Sequence, residues 1–428
     1  MVITVVFSLP IRFAHMSDVH LGAFREKELR ELNILAFEKA VDACVERKAD
    51  FVIIAGDFFD VALPEMAVVN RAVRKMREAH EKGLRFYLVY GSHDYSPTET
   101  SIIDVLCSAG VLVKVSVAEE SGDETPRVTL KVFKDEKTGV SFAGVSARAR
   151  GLEESDFDKI DFTPLEKIPN PKIFIFHSAI MEFVAEELRG FGGVPVNALP
   201  KGFDYYATGH VHLPQVIRDS RLSNKPLVYP GPLFASDYRD LESLSKGKHG
   251  FWFCELGDNG ECKVERVELD ICNVVFEEYD ASGKNPVSVQ QELSDLVSSK
   301  NVAGKVFLLK VKGVLASGSP GDINFAELRE KANSKNPVVF YMNRNALQSP
   351  EKTELVASVS DTKKVEEELF VQSLDALKGV HEGLKGENGL HKSKKLLEVL
   401  RVEQPPGETK ADFESRISKQ SLSVFESG

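Results

Sequence analysis

Five short stretches of this 428-residue chain place Asp and His at spacings suited to metal chemistry. They are Ser17-Asp18-Val19-His20, Gly56-Asp57-Phe58-Phe59-Asp60, Gly91-Ser92-His93-Asp94, His177, and Gly209-His210-Val211-His212. Two residues of separation, as in Asp18/His20 and His210/His212, lets one short segment aim two donors into a common pocket. Hydrolysis of a phosphate ester needs its developing charge neutralised and a nucleophile made from water at neutral pH. Two divalent ions about 3.5–4 Å apart do both, provided that one carboxylate bridges them. A buried Asp suits that bridge, and Asp57 is the candidate. Mixed imidazole and carboxylate donors with open water positions suit Mn, Fe or Zn better than Mg or Ca, which prefer oxygen shells.

Each stretch is placed by what precedes it. Ile11–Ala14, Phe51–Ala55, Phe86–Val89, Ile173–Phe176 and Tyr205–Thr208 read as buried strands bounded by polar or glycine turns. Of the ten histidines, His20, His93, His177, His210 and His212 sit just past such a strand, a pattern hard to assign to chance. Glu28–Lys48 and Glu65–Lys82 carry apolar residues at helical spacing, so strand and helix alternate and an α/β domain is predicted. Ligand sites in open α/β sheets form outside the carboxyl ends of strands, so the loops should converge on one edge. Val128–Phe133 with Val140–Val145, and Gly250–Leu256 with Lys263–Leu269, are expected as strand pairs.

The domain carrying these loops is expected to span residues 1–272. A β-α-β-α-β cap is expected over 273–347, with nine basic residues against eight acidic ones in an otherwise acidic chain. Residues 348–428 turn polar and hold two amphipathic helices. Val365–Leu377 is anchored by Leu369, Leu374 and Leu377, and His391–Val402 by Leu396, Leu397 and Leu400. From Glu403 a linker or mobile tail is expected. A net charge of −11 argues against a protein coated in nucleic acid, although bound metals and local basic surface can supply positive charge. Five cysteines without a CxxC pair read as free thiols in a reducing cytoplasm. No apolar run is long enough to cross a membrane, and Met1–Pro10 is expected as an added strand.

The order DxH, GDxxD, GxHD, H and GHxH resembles the calcineurin-like metallophosphoesterases. The stretches RFAHMSDVHLG, GDFFD and ATGHVH resemble more narrowly the double-strand-break repair nucleases that pair with a coiled-coil ABC-type ATPase, the SbcD/Mre type. The resemblance implies a four-layer α/β/β/α sandwich with a small cap and C-terminal helices. It implies two Mn²⁺ ions, with Asp18, His20 and His212 on one, His177, His210 and position 92 on the other, and Asp57 bridging. His93 would act on the leaving oxygen, with Asp94 orienting it. Asp60 would support the ligands or serve as a plain turn residue. It further implies exonuclease action on DNA ends of the 3′–5′ type with endonuclease action, and a homodimer joined through Glu28–Lys48 and Glu65–Lys82. The ATPase would bind through the C-terminal leucines.

Two positions depart from the family pattern. Ser92 stands where Asn is usual, and a serine hydroxyl is a shorter neutral donor. Pro232, in Tyr229-Pro230-Gly231-Pro232, stands where Ser is usual. Two other readings stay open: a phosphatase or small-molecule phosphodiesterase of the same fold, and a non-catalytic DNA clamp whose second metal position is impaired by Ser92. Outside the five stretches, His15 reads as core or as support for the ligands, His80 as lying on a helix face, His249 as a turn residue and Trp252 as core. The absence of a GxxxxGK[ST] loop assigns any ATP hydrolysis to a partner.

Overall fold

The computed structural model describes residues 10–95, 100–120, 128–147, 157–184, 193–350, 371, 386–402, 405 and 410–426. From the N-terminus, β1 (Ile11–Met16), α1 (Lys27–Glu46), β2 (Phe51–Ala55), α2 (Met66–Glu81) and β3 (Arg85–Val89) alternate as the apolar pattern predicts. Then come α3 (Ile102–Ser108), β4 (Val113–Lys114), β5 (Ala118–Glu120), β6 (Val128–Leu130), β7 (Phe133–Lys134) and β8 (Ser141–Val145). The next elements are α4 (Thr163–Glu166), β9 (Lys172–Phe176), β10 (Tyr205–Ala207), β11 (Gln215–Arg218) and β12 (Pro226–Tyr229). They are followed by α5 (Tyr238–Leu244), β13 (Gly250–Leu256) and β14 (Cys262–Glu268).

These strands build two six-stranded sheets, ordered β14-β13-β1-β2-β3-β4 and β11-β12-β10-β9-β8-β7. Parallel pairing runs through β1-β2-β3-β4 in the first and β8-β9-β10-β12 in the second. Strands such as Phe-Val-Ile-Ile-Ala of β2 are apolar at every position because both their faces are covered. One face meets α1 and α2 through Val52, Ile54, Leu88, Phe37, Ala40 and Met76. The other meets the second sheet, where Phe13, Phe51, Ile53 and Tyr87 interdigitate with Phe142, Ile173, Ile175 and Tyr205. Phe142 packs edge-on to Phe51 at 5.1 Å and stacks on Tyr87 at 4.2 Å, fixing how the layers align. Among the described residues, the outer face of the second sheet is covered by α4, a 3₁₀ turn at Val196–Ala198 and loops.

Two expectations are corrected here. Val128–Phe133 is not one strand: Val128–Leu130 pairs with Ala118–Glu120, and only Phe133–Lys134 pairs with β8. A mobile tail from Glu403 is also wrong in part, since a helix occupies Lys410–Glu426.

After β14 the chain forms β15 (Val274–Asp280), α6 (Pro286–Ser299), β16 (Val306–Val314), α7 (Phe325–Asn333) and β17 (Val339–Gln348), a three-stranded parallel sheet. Alternation along β16 decides its packing: Phe307 and Leu309 face α6 and α7, while Val306 and Leu308 join the core of the first sheet. Residues 1–348 therefore form one compact unit in which the cap sheet shares a buried layer with the α/β body. Cap lysines 284, 300, 310 and 312 ion-pair with the cap's own glutamates.

A second unit, residues 349–428, contains α8 (Gly386–Leu400) and α9 (Lys410–Glu426). On α8, Leu396 and Leu397 are half-buried and Leu400 is exposed. Residues 1–9 and the leucines Leu369, Leu374 and Leu377 lie outside the described residues. No helix among the described residues is long and apolar enough to cross a membrane.

Candidate metal centre

The loops after β1 and β2 keep pairing beyond their strands. Asp18 N–H donates to Gly56 O (3.1 Å), His20 N–H to Asp57 O (2.9 Å) and Leu21 N–H to Phe58 O (2.9 Å). Asp18, His20 and Asp57 are thereby stitched side by side at one sheet edge, and the loops after β3, β9 and β10 close around them. Asp18, His20, Asp57 and His210 all adopt left-handed backbone, with φ of 51°, 46°, 51° and 83°. Such conformations in non-glycine residues concentrate at binding and catalytic sites because surrounding structure must hold them. Glycine is required beside them. A Cβ on Gly91 would overlap the backbone nitrogen and carboxylate of Asp57, and one on Gly56 would overlap the ring of His177.

Among the described residues, donor atoms gather in three groups whose members lie within 4.8 Å of one another: Asp18/His20/His212, His20/Asp57/His93 and Asp18/Asp57/His177. Asp57 is shared. Its Oδ1 accepts from His93 N–H at 2.8 Å. Its Oδ2 lies 3.2 Å from His177 Nε2 and 3.7 Å from His20 Nε2. Those two Nε2 atoms are buried and make no hydrogen bond, so Oδ2 stands between two imidazole nitrogens left without partners. Buried polar atoms are rarely left so. Divalent cations would satisfy them, and Asp and His are donors that Mn, Fe or Zn takes.

The imidazoles are held from behind. His177 Nδ1 leans on Ala55 O at 2.8 Å and His93 Nδ1 on Asp60 O at 2.7 Å. His212 Nδ1 meets the carboxylate of Asp240 at 2.8 Å. Asp60 Oδ1 lies 3.3 Å from His20 Nδ1 and 4.0 Å from His93 Nδ1, so Asp60 supports both rings. His210 is exposed, its N–H donates to Asp18 at 3.0 Å, and its ring lies 5.4 Å from that of His177. Ser92 is half-buried in the same turn as His93.

Electrostatics follow from crowding carboxylates and imidazoles without a cation. Burial opposes a charged His177, but the adjacent Asp57 carboxylate outweighs it and pushes the imidazole up to about 10. For His212, burial is outweighed by Asp240 and Asp18, giving about 9. Asp57, although buried, is held well below the usual carboxylate range by His177 and His20. The pocket thus attracts positive charge strongly, and metal and proton would compete for it.

One sequence expectation is corrected. Asp94 does not orient His93: its carboxylate accepts from the backbone N–H groups of Phe58 (3.1 Å), Phe59 (3.0 Å) and Gly91 (3.0 Å). It is a brace between the loops after β2 and β3, and burial followed by the nearby Asp57 raises it to about 6. His15 is fully buried with Nδ1 at 2.9 Å from Tyr205 Oη. His249 is buried too, its ring against Phe234 O. Trp252 and Arg266 pair across β13 and β14 and hold the carbonyls of Tyr229 (3.0 Å) and Pro230 (2.7 Å). Asp240 was missed by sequence reading. The only signal for it is the Ser236-Asp237-x-x-Asp240 pattern of a helix start, which does not tell what its carboxylate faces.

The calcineurin-like phosphoesterase family matches residues 11–214, which contain every candidate ligand. A DNA double-strand break repair protein Mre11 of Methanopyrus kandleri is 30% identical over 277 residues, covering 61% of this chain and 57% of that protein. The protein of the same name from Archaeoglobus fulgidus is 28% identical over 242 residues, covering 55% and 52%. That from Methanococcus maripaludis is 24% identical over 297 residues, covering 68% and 75%. The match thus spans little more than half the length of the first two relatives. The matched span, with the Asp–His pocket inside it, gives this chain a calcineurin-like phosphoesterase fold, and Mre11 proteins are similar to it.

Proposed function

We propose that this chain is a Mn²⁺-dependent DNA nuclease that trims duplex ends and also cuts internally, in double-strand-break repair. The observation that carries this reading is Asp57 Oδ2 poised between the unpartnered Nε2 atoms of His20 and His177. Its similarity to DNA double-strand break repair proteins Mre11 supports DNA as substrate. Asp18, His20 and His212 would hold one ion and His177, His210 and Ser92 the other, with Asp57 shared. The ions, when bound, supply charge for the phosphoryl oxygens and an activated water.

The protein's own residues do the rest. His93 N–H pins Asp57 Oδ1, so that Oδ2 alone faces the ligands. The Asp60 carbonyl accepts from His93 Nδ1–H and directs Nε2 away from itself. With its side chain 47% exposed, His93 sits where a leaving oxygen can be reached. The same reading includes a homodimer built through α1 and α2, and a coiled-coil ABC-type ATPase bound by the C-terminal helices. A chain ending near Pro350 should then keep hydrolysis and lose the ATPase.

The test is cleavage of an end-labelled duplex with Mn²⁺ or Mg²⁺ by wild type, His93→Ala and Asp57→Ala. Manganese-dependent shortening, lost in both variants, is expected. Hydrolysis of small phosphodiesters without any cleavage of DNA would make the chain a different phosphoesterase. No hydrolysis of either, recovered by Ser92→Asn, would make it a clamp.

A further inference from the structure

His212 differs from His177 and His93 in what stands behind it. The rings of His177 and His93 lean on neutral backbone carbonyls, whereas His212 Nδ1 meets Asp240 Oδ1 at 2.8 Å. Asp240 lies on α5, 28 positions further along the chain, and is only 4% exposed. Its second oxygen, Oδ2, accepts from Ser236 N–H at 2.9 Å and Ser236 Oγ–H at 2.8 Å. Asp237, the residue capping α5, accepts the Asp240 N–H at 3.0 Å. Both oxygens of a buried carboxylate are therefore committed, Oδ2 to Ser236 and Oδ1 to the imidazole. A carboxylate only accepts, so His212 Nδ1 carries a proton and Nε2 is the nitrogen left to offer a lone pair to a metal. That Nε2 lies 3.7 Å from Asp18 Oδ1, across the position the two would share. On the same helix, Tyr238 packs its ring on Tyr341 of β17 at 5.4 Å, which ties α5 to the cap sheet.

We propose that Asp240 is a positioning residue for the metal centre: it holds His212 as the Nδ1–H tautomer with Nε2 aimed beside Asp18, and Ser236 steadies the carboxylate. This rests on the reading of His212 as a ligand. Carboxylates placed behind metal-bound histidines set affinity by about 10- to 100-fold.

The experiment titrates Mn²⁺ alone into the full chain by calorimetry, comparing wild type, Asp240→Asn, His212→Ala and the double variant. Asp240→Asn should weaken one of two manganese sites by about 10- to 100-fold and spare the other. In the His212→Ala background, Asp240→Asn should cause no further loss, because its effect passes through that ring; a general structural role would add its own. Ser236→Ala should weaken the same site by a smaller factor, and it serves as the probe if the Asn variant folds poorly. Wild-type affinity in Asp240→Asn, or an additive loss in the double variant, overturns the proposal while leaving the metal centre standing. A wild-type chain that binds no manganese overturns the centre itself, and the proposal with it.

Discussion

Replacing Asp94 separates a brace from a chemical participant. The side chain is 2% exposed, and its carboxylate takes three backbone N–H groups at 3.0–3.1 Å. Asp94→Ala leaves those donors without an acceptor, at about 1–3 kcal/mol each. Water entering the vacated space recovers part of this, so a loss of about 3–6 kcal/mol is expected, a large share of the 5–15 kcal/mol typical of a folded protein. For a unit of 348 residues about 1 kcal/mol moves Tm by roughly 1.4 °C, giving a fall of about 4–8 °C. Asp94→Asn keeps one accepting oxygen and should lose about half as much. Phe58 and Phe59 follow Asp57 directly, and Gly91 opens the turn that carries His93, so loosening the brace displaces both functional residues together. Hydrolysis of a small phosphodiester and Mn²⁺ affinity should therefore fall in step with Tm measured in EDTA. An Asp94→Asn protein with wild-type Tm and abolished hydrolysis would refute the reasoning, because the carboxylate would then be acting in the reaction itself.

Gly91→Ala should weaken Mn²⁺ binding at a stability cost of about 1–3 kcal/mol, since its Cβ overlaps Asp57. Gly247→Ala, whose Cβ would meet nothing within 4 Å, is the control, and equal affinity in the two variants would reject the close-approach argument. Burial depresses His15 to about 3, so the folded state keeps it neutral while the unfolded chain takes a proton below about 6.5. Its contribution is intact above pH 6.5 and is lost as pH falls toward 3, by about 2 kcal/mol at pH 5. Urea unfolding at pH 7 and pH 5 should show a steeper drop for wild type than for His15→Gln, and parallel drops would exclude His15 as the source.

The types and order of the candidate ligands were legible in the chain itself, because a donor set of this kind must sit just past strand ends and each stretch follows an apolar run. The alternation of strand and helix was legible for a related reason: segments buried on both faces stay apolar throughout, as in β2, and helices flanking them show one apolar stripe, as in α1. The helix over Lys410–Glu426 escaped, since its polar composition resembles that of a linker.

Roles that depend on direction came only from the tertiary structure. Asp94 and Asp60 both lie near His93 in space, yet only the folded loops show that Asp94 faces three backbone donors while Asp60 faces the ring. The splitting of Val128–Phe133 between two partners depends on which edge each half reaches, and alternation alone cannot supply that. Asp240 lies on a helix with no metal-ligand spacing of its own, and it meets His212 only because α5 packs beside the loop after β10. Local periodicity encodes which residues are buried and where chains turn. Which buried polar atom faces which is decided by the packing of layers distant in sequence.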